Sequence, residues 1–211
     1  DGLDLDGANS NAALATLLAA PVVLVLDARG MTRGIAPLIL GYQAFDPAVN
    51  IAGVILNKVG GARHEKKLRA IIKHYTGVPV LGAVQRDESL EISERHLGLI
   101  PSNEVAETGG AAAKIETLAA AIADQVDLQL ISEIAASAAP LAAAAVIRSR
   151  PRKKDLRIGI ARDSAFGFYY ANDLDALDAA GAELVTIDTI ADHRLPAIDG
   201  LFIGGGFPET H

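Results

Sequence analysis

The chain has 211 residues, half of them hydrophobic and 21% charged, which is enough to bury one large or two small cores. Its formal charge of -7 excludes a general nucleic-acid binder, which needs a basic face, and no stretch has the roughly 18 uninterrupted apolar residues of a membrane span. With no cysteine, disulfides, thiolate metal sites and a Cys nucleophile are excluded within these residues, and a cytoplasmic setting is the default expectation.

In chain order, short apolar runs alternate with longer amphipathic stretches, the pattern of a mostly parallel, doubly wound α/β sheet. Asn9 or Ser10 is placed to cap a helix through Leu18. A buried strand follows over Pro21–Asp27, then a helix over Gly34–Phe45. Strands at Ile51–Leu56 and Val78–Val84 flank a helix over Ala62–Tyr75 that Gly77 ends. Ile115, Leu118, Ile122, Val126, Leu130 and Ile134 recur at helical spacing between 109 and 138, with Asp127 a cap dividing two helices. These elements predict a first domain over 1–138.

Residues 139–155 lose the apolar period and end in the basic run Arg148-Ser-Arg-Pro-Arg-Lys-Lys154, read as a solvated linker. A second βαβ pattern occupies 156–211: strands at Leu156–Ala161, Glu183–Asp188 and Gly200–Ile203, with a helix from Tyr170 to Ala180. The remaining length is short for a complete doubly wound domain. The chain opens at Asp1 without Met and closes on Gly204-Gly205-Gly206 just after a strand, so we expect a piece of a longer enzyme.

Ligands of parallel sheets bind beyond the carboxyl ends of strands, and those positions are polar here. They hold Arg29, Thr32 and Arg33; Asn57 and Lys58; Gln85, Arg86 and Asp87; and Arg162 and Asp163. A carboxamide after a strand reads a purine, because it both donates and accepts; equally, Asn57 turns the chain ahead of Gly60-Gly61. Arg29, Arg33, Arg63, His64, Arg95 and His96 suit a polycarboxylate or phosphate ligand, or are surface charges. Asp1, Asp4 and Asp6 suit a magnesium-bound nucleotide or a solvated loop, while His64 and His74 read as helix-surface groups rather than metal ligands.

Val23-Leu-Val-Leu-Asp-Ala-Arg-Gly30, Gly53-Val-Ile-Leu-Asn-Lys-Val-Gly60 with Arg63-His64-Glu65, Val80-Leu-Gly-Ala-Val84 and Glu94-Arg-His-Leu-Gly-Leu99 together resemble the cobyrinic acid a,c-diamide synthase family. The resemblance continues through Ala161-Arg-Asp-Ser-Ala-Phe-Gly-Phe-Tyr-Tyr170 and Gly204-Gly-Gly-Phe-Pro-Glu209. It implies a P-loop synthetase domain similar to dethiobiotin synthetase, followed by a flavodoxin-like, triad-type glutamine amidotransferase domain. The implied reaction amidates two corrinoid carboxylates, with ATP and Mg2+, a corrinoid polycarboxylate substrate and glutamine as ammonia donor; a homodimer is among the expected assemblies.

By that resemblance Asp1 supports phosphorylation, and Asn57, Lys58 and Arg86 face the nucleotide. Arg29, Arg33, Arg95 and His96 line the corrinoid side, Gly205 and Gly206 supply oxyanion N–H groups, and no residue is a metal ligand. No Gly-x-x-x-x-Gly-Lys-Ser/Thr loop and no Cys is present, so the piece alone is expected to be inactive. Competing expectations are amidation of hydrogenobyrinic acid or nickel-sirohydrochlorin, and a non-catalytic P-loop-like scaffold.

Overall fold

The computed structural model describes residues 5–92, 94–95, 98–99, 111–141 and 153–211. The described residues form two compact units, one containing 5–91 and 114–141, the other containing 92, 94–95, 98–99, 111–113 and 153–211.

In the first unit, Ser10 accepts the Ala13 N–H at 3.1 Å and so starts α1 (Asn11–Leu17), a helix with no buried residue. Strands β1 (Val22–Asp27), β2 (Ile51–Val59) and β3 (Val80–Gln85) form a parallel sheet in the order β1-β2-β3. Helices α2 (Ile35–Phe45) and α3 (Ala62–Tyr75) make the crossovers that parallel pairing requires. Ile35 and Ile39 of α2 and Leu68 and Ile72 of α3 are fully buried with Val54 and Leu56 of β2, which forms the core. Burying each such side chain contributes about 1.5–3 kcal/mol, so the i, i+4 pairs on the two helices anchor them to the sheet.

Helices α4 (Ala111–Gln125) and α5 (Leu128–Ala136) are divided at Asp127, whose carboxylate accepts the Leu130 N–H at 2.9 Å as its position ahead of an apolar period predicts. Val126 comes against Gly82 of β3, and Asp127 N–H donates to Leu81 O at 2.8 Å. A Cβ on Gly82 would lie 2.7 Å from Val126 Cγ2 and 2.9 Å from Gln125 O, so only glycine admits this approach. A short antiparallel pair, β4 (Glu94–Arg95) with β5 (Gly98–Leu99), groups with the second unit.

In the second unit β6 (Leu156–Ala161) lies between β8 (Ala182–Ile187) and β9 (Gly200–Phe202), all parallel, with α6 (Ala171–Ala179) as the β6-to-β8 crossover. A separate antiparallel pair joins β7 (Phe166–Phe168) to β10 (Gly205–Gly206).

The mostly parallel α/β class is borne out, and two expectations are corrected. Strand β2 continues to Val59 instead of stopping at Leu56: Asn57 still pairs with Asp27, while Lys58 adopts φ +57° and inserts a bulge on the β3 side. Gly205 and Gly206, expected as a bare turn, form a strand because β7 supplies a partner that the Phe-Gly-Phe segment does not announce as a strand. Residues 142–152, most of the expected linker, lie outside the described residues.

Candidate functional site

The carboxyl edge of the first sheet gathers the predicted groups of β1, β2 and β3. Asp27 ends β1 in register with Asn57, and Ala28 N–H donates to Asn57 O at 2.8 Å. Arg29 turns back onto Asp27: Nε donates to the carboxylate at 2.9 and 3.1 Å, and a terminal nitrogen lies 2.7 Å from Oδ2. The Arg29 side-chain and backbone hydrogen bonds hold the Asp27 carboxyl down at about 2, with Lys58 adding to the effect. Arg29 thus already holds one carboxylate, through Nε and one terminal nitrogen, and keeps its remaining N–H donors.

Arg33 is engaged differently. Its guanidinium lies 5.3 Å from the centroid of the Tyr75 ring, at one end of an apolar hollow of about 450 Å³ shared with Gly34, Ala36, Pro37 and Leu40. The two arginines thus rest on a carboxylate and on a π face.

Within the bulge, Asn57 Oδ1 accepts the Lys58 N–H at 2.9 Å. This local bond stabilises a lysine backbone in the left-handed region, where a Cβ is unfavourable, and leaves the Asn57 NH₂ group to donate elsewhere. Arg86 follows β3, its N–H bonded to Val59 O at 2.9 Å, and its exposed side chain makes no hydrogen bond or ion pair with a described residue. The structure thus brings Asn57, Lys58, Arg86 and Arg29 to one sheet edge. Asp1 and His96 lie outside the described residues, and of Arg95 only the backbone in β4 is described.

Beneath this edge a polar cavity of about 470 Å³ is lined by Glu65, Arg69, Ala83, Gln85, Asp87, Asp124 and Gln125. Gln85 organises it: Nε2 donates to Glu65 at 3.0 Å, Oε1 accepts Gly61 N–H at 2.9 Å, and its own N–H donates to Gln125 Oε1 at 2.7 Å. Glu65 is paired with Arg69 at 2.7 Å. Asp87 caps the following short 3₁₀ turn through Ser89 N–H at 2.7 Å, and that interaction lowers its pKa. The sequence singled out Gln85 only by position; its roles as acceptor and donor become visible once α3 lies beside β3.

In the second unit the loop after β6 is built on Asp163. Oδ1 accepts Ala165 and Phe166 N–H at 2.8 and 2.9 Å, and Oδ2 accepts the Thr189 N–H and hydroxyl at 2.6 and 2.7 Å. Partial burial pushes the Asp163 pKa up, but the hydrogen bonds from Thr189, Phe166 and Ala165 outweigh it and hold the group below its ordinary value.

Tyr169, which the sequence reading did not single out, controls the glycine turn. Its hydroxyl donates to Ala161 O at the end of β6, lies 3.3 Å from Phe202 O at the end of β9, and accepts the Gly204 N–H at 2.9 Å. The ring stacks edge-on against Phe202 with centroids 5.4 Å apart. A Cβ on Gly206 would fall 1.8 Å from Ala165 O, and one on Gly204 would fall 2.5 Å from Phe168 O, so close passage of β7 explains these glycines. An aromatic cluster upstream of a glycine run is the signal from which Tyr169 is recoverable.

Among the described residues no group of three or more His, Asp or Glu side chains is placed to hold a metal ion, and no helix is long and apolar enough to cross a membrane.

Comparison with known proteins covers both units. Residues 5–94 match the model of an AAA domain, and residues 157–211 match that of the CobB/CobQ-like glutamine amidotransferase domain. The cobyrinate a,c-diamide synthase of Methanosarcina acetivorans is 46% identical over 97% of this chain and 43% of its own length. That of Magnetococcus marinus is 42% identical over 99% of this chain and 45% of its own length. That of Listeria innocua is 37% identical over 99% of this chain and 46% of its own length. No solved structure matches. The family resemblance read from the sequence is borne out along nearly the whole chain, which spans less than half the length of these relatives.

Proposed function

We propose that these residues belong to a longer glutamine-dependent amidoligase that converts the a and c carboxylates of cobyrinic acid to amides, in cobalamin synthesis. The observation that carries this reading is the similarity to proteins of that name through both units, with the two domain matches in the expected order. ATP-Mg is the proposed phosphoryl donor. Among the described residues no cluster of carboxylate or imidazole groups is placed to hold the ion.

In the proposed reaction a substrate carboxylate oxygen attacks the γ-phosphorus, the P–O bond to ADP breaks, and an acyl phosphate forms. Ammonia then attacks the acyl carbon, the C–O bond to phosphate breaks, and nitrogen loses a proton to leave the amide. Glutamine hydrolysis supplies the ammonia and glutamate.

Asn57 is the proposed base reader, with Lys58 and Arg86 beside the nucleotide. Its carboxamide geometry supports this, since the NH₂ stays available while Oδ1 braces the bulge. Arg29 and Arg33, with Arg95 and His96, are the proposed carboxylate ligands, and Asp1 the proposed supporter of phosphorylation. Gly205 and Gly206 are the proposed oxyanion donors of the glutaminase half. Adjacent residues of an antiparallel pair turn their N–H groups to opposite sides, so pairing with β7 leaves one of the two N–H groups turned away from the partner and open to that role.

These 211 residues contain neither a Walker-type loop nor a cysteine, so we expect them alone to be inactive and the longer chain to supply both. The test gives the longer protein cobyrinic acid, glutamine and ATP-Mg, with mass-spectrometric readout beside the 211-residue chain. Two successive amide additions by the longer protein, and none by the chain, are expected. Turnover of hydrogenobyrinic acid or a sirohydrochlorin derivative instead of cobyrinic acid would reassign the substrate, and inactivity on all of them would favour a scaffold.

A further inference from the structure

His64, expected as a helix-surface group, spans two loops at the carboxyl edge of the sheet. Its Nδ1 accepts the Gly60 N–H at 3.0 Å, and its Nε2 lies 2.7 Å from Met31 O, which is 33 residues away in the chain. The two partners fix the tautomer without ambiguity. A backbone N–H only donates, so Nδ1 is unprotonated; a backbone carbonyl only accepts, so Nε2 carries the hydrogen. The ring is therefore neutral and saturated with hydrogen bonds.

Its two partners are not arbitrary. Met31 lies two residues after Arg29 and two before Arg33, and Gly60 lies two residues after Lys58. The next N–H, of Gly61, is taken at 2.9 Å by Gln85, itself held by Glu65 one residue after His64. Both N–H groups of the Gly60-Gly61 turn, which opens α3 with φ +98° at Gly61, thus report to the first turn of that helix. Ala28 N–H bonded to Asn57 O ties the same two loops at their roots, and His64 ties them beyond the sheet, where no ladder remains.

We propose that His64, in its neutral Nε2–H form, is a positioning residue that fixes the spacing between the Arg29–Arg33 loop and the Asn57–Lys58 bulge. This rests on the assignment of those loops to substrate and nucleotide, and deepens it: the distance between the two ligands is set from α3 by one imidazole. Glutamine is the informative substitute, because its amide oxygen replaces the Nδ1 acceptor and its NH₂ replaces the Nε2 donor without a titrating group.

The first arm of the test uses the 211-residue chain. Nitrogen-15 NMR of the histidine ring is expected to give the Nε2–H tautomer. His64→Ala should speed exchange of the Gly60 amide at least about tenfold and shift the amides of both Arg29–Arg33 and Asn57–Gly61, while His64→Gln restores both loops. An Nδ1–H or doubly protonated ring at pH 7.5, or a His64→Ala chain perturbed in only one loop, overturns the proposal. The second arm measures amidation by the longer protein. His64→Ala should lower kcat about 10–100-fold with KM changed less than about threefold, and His64→Gln should recover most of it, since misplacement of about 1 Å costs on that order. Unchanged kcat in His64→Ala overturns the positioning role. A wild-type protein inactive on every tetrapyrrole overturns the functional reading and leaves His64 to be judged on the first arm.

Discussion

Tyr169→Phe separates the hydroxyl of that residue from its ring. The Phe ring keeps the edge-on contact with Phe202, at 5.4 Å between centroids, so the change removes only the oxygen. That oxygen accepts the Gly204 N–H at 2.9 Å and donates to Ala161 O, and nothing else in the turn replaces it at those positions. An orphaned N–H costs about 1–3 kcal/mol when fully buried, and the half-buried site places the expected loss at about 1–2 kcal/mol. For a unit of this size each kcal/mol lowers the melting temperature by about 4–8 °C, so circular dichroism should record a fall of about 5–15 °C in the transition of the second unit. Amide exchange at Gly204 should accelerate in parallel. A melting temperature within about 1 °C of wild type, with Gly204 still protected, would refute the view that this hydroxyl holds the glycine turn.

Asp163→Asn tests the second anchor of the same unit. The folded pKa of Asp163 is depressed, so its stabilisation is present above the unfolded carboxylate range near about 4 and disappears as pH falls through the folded value. The wild-type advantage over Asp163→Asn should therefore be full at pH 7 and shrink toward pH 3 in melting experiments; parallel curves would count against the carboxylate clamp. Val25 is 63% exposed on β1, a strand paired on one side among the described residues. Val25→Lys should reduce self-association of the 211-residue chain in light scattering, and a wild-type chain already monomeric at about 100 µM would dispose of that expectation.

The elements were legible where periodicity and punctuation coincide. The apolar runs of β1, β3, β6 and β8 and the caps Ser10, Asp127 and Gly77 are local signals, and each of these four strands falls within about two residues of its expected limits. The site was legible only in part. Asn57 and Lys58 stood out as polar residues after an apolar run, but the bulge they form depends on β1 and β3 keeping different registers against β2, which no local pattern encodes. The strand character of Phe166–Phe168 and Gly205–Gly206 was hidden for the same reason, since neither segment is strand-like without the other. Gln85, His64 and Tyr169 act through partners 24, 33 and 35 residues away, and a side chain with long-range partners reads in sequence as an ordinary surface residue.

The approach of Val126 to Gly82 gives the first sheet a direction of growth. On the outer side of β3, Leu81 O is taken by Asp127 N–H and Gln85 N–H by the Gln125 side chain, so that border is closed by the chain itself. Beyond β1 no described strand stands. Among the described residues the open border of this sheet is therefore the one along Val22–Asp27. Were identical copies to associate through this sheet, two β1 borders would meet about a two-fold axis, and among the described residues neither sheet would keep an open border to extend the pair into a fibre.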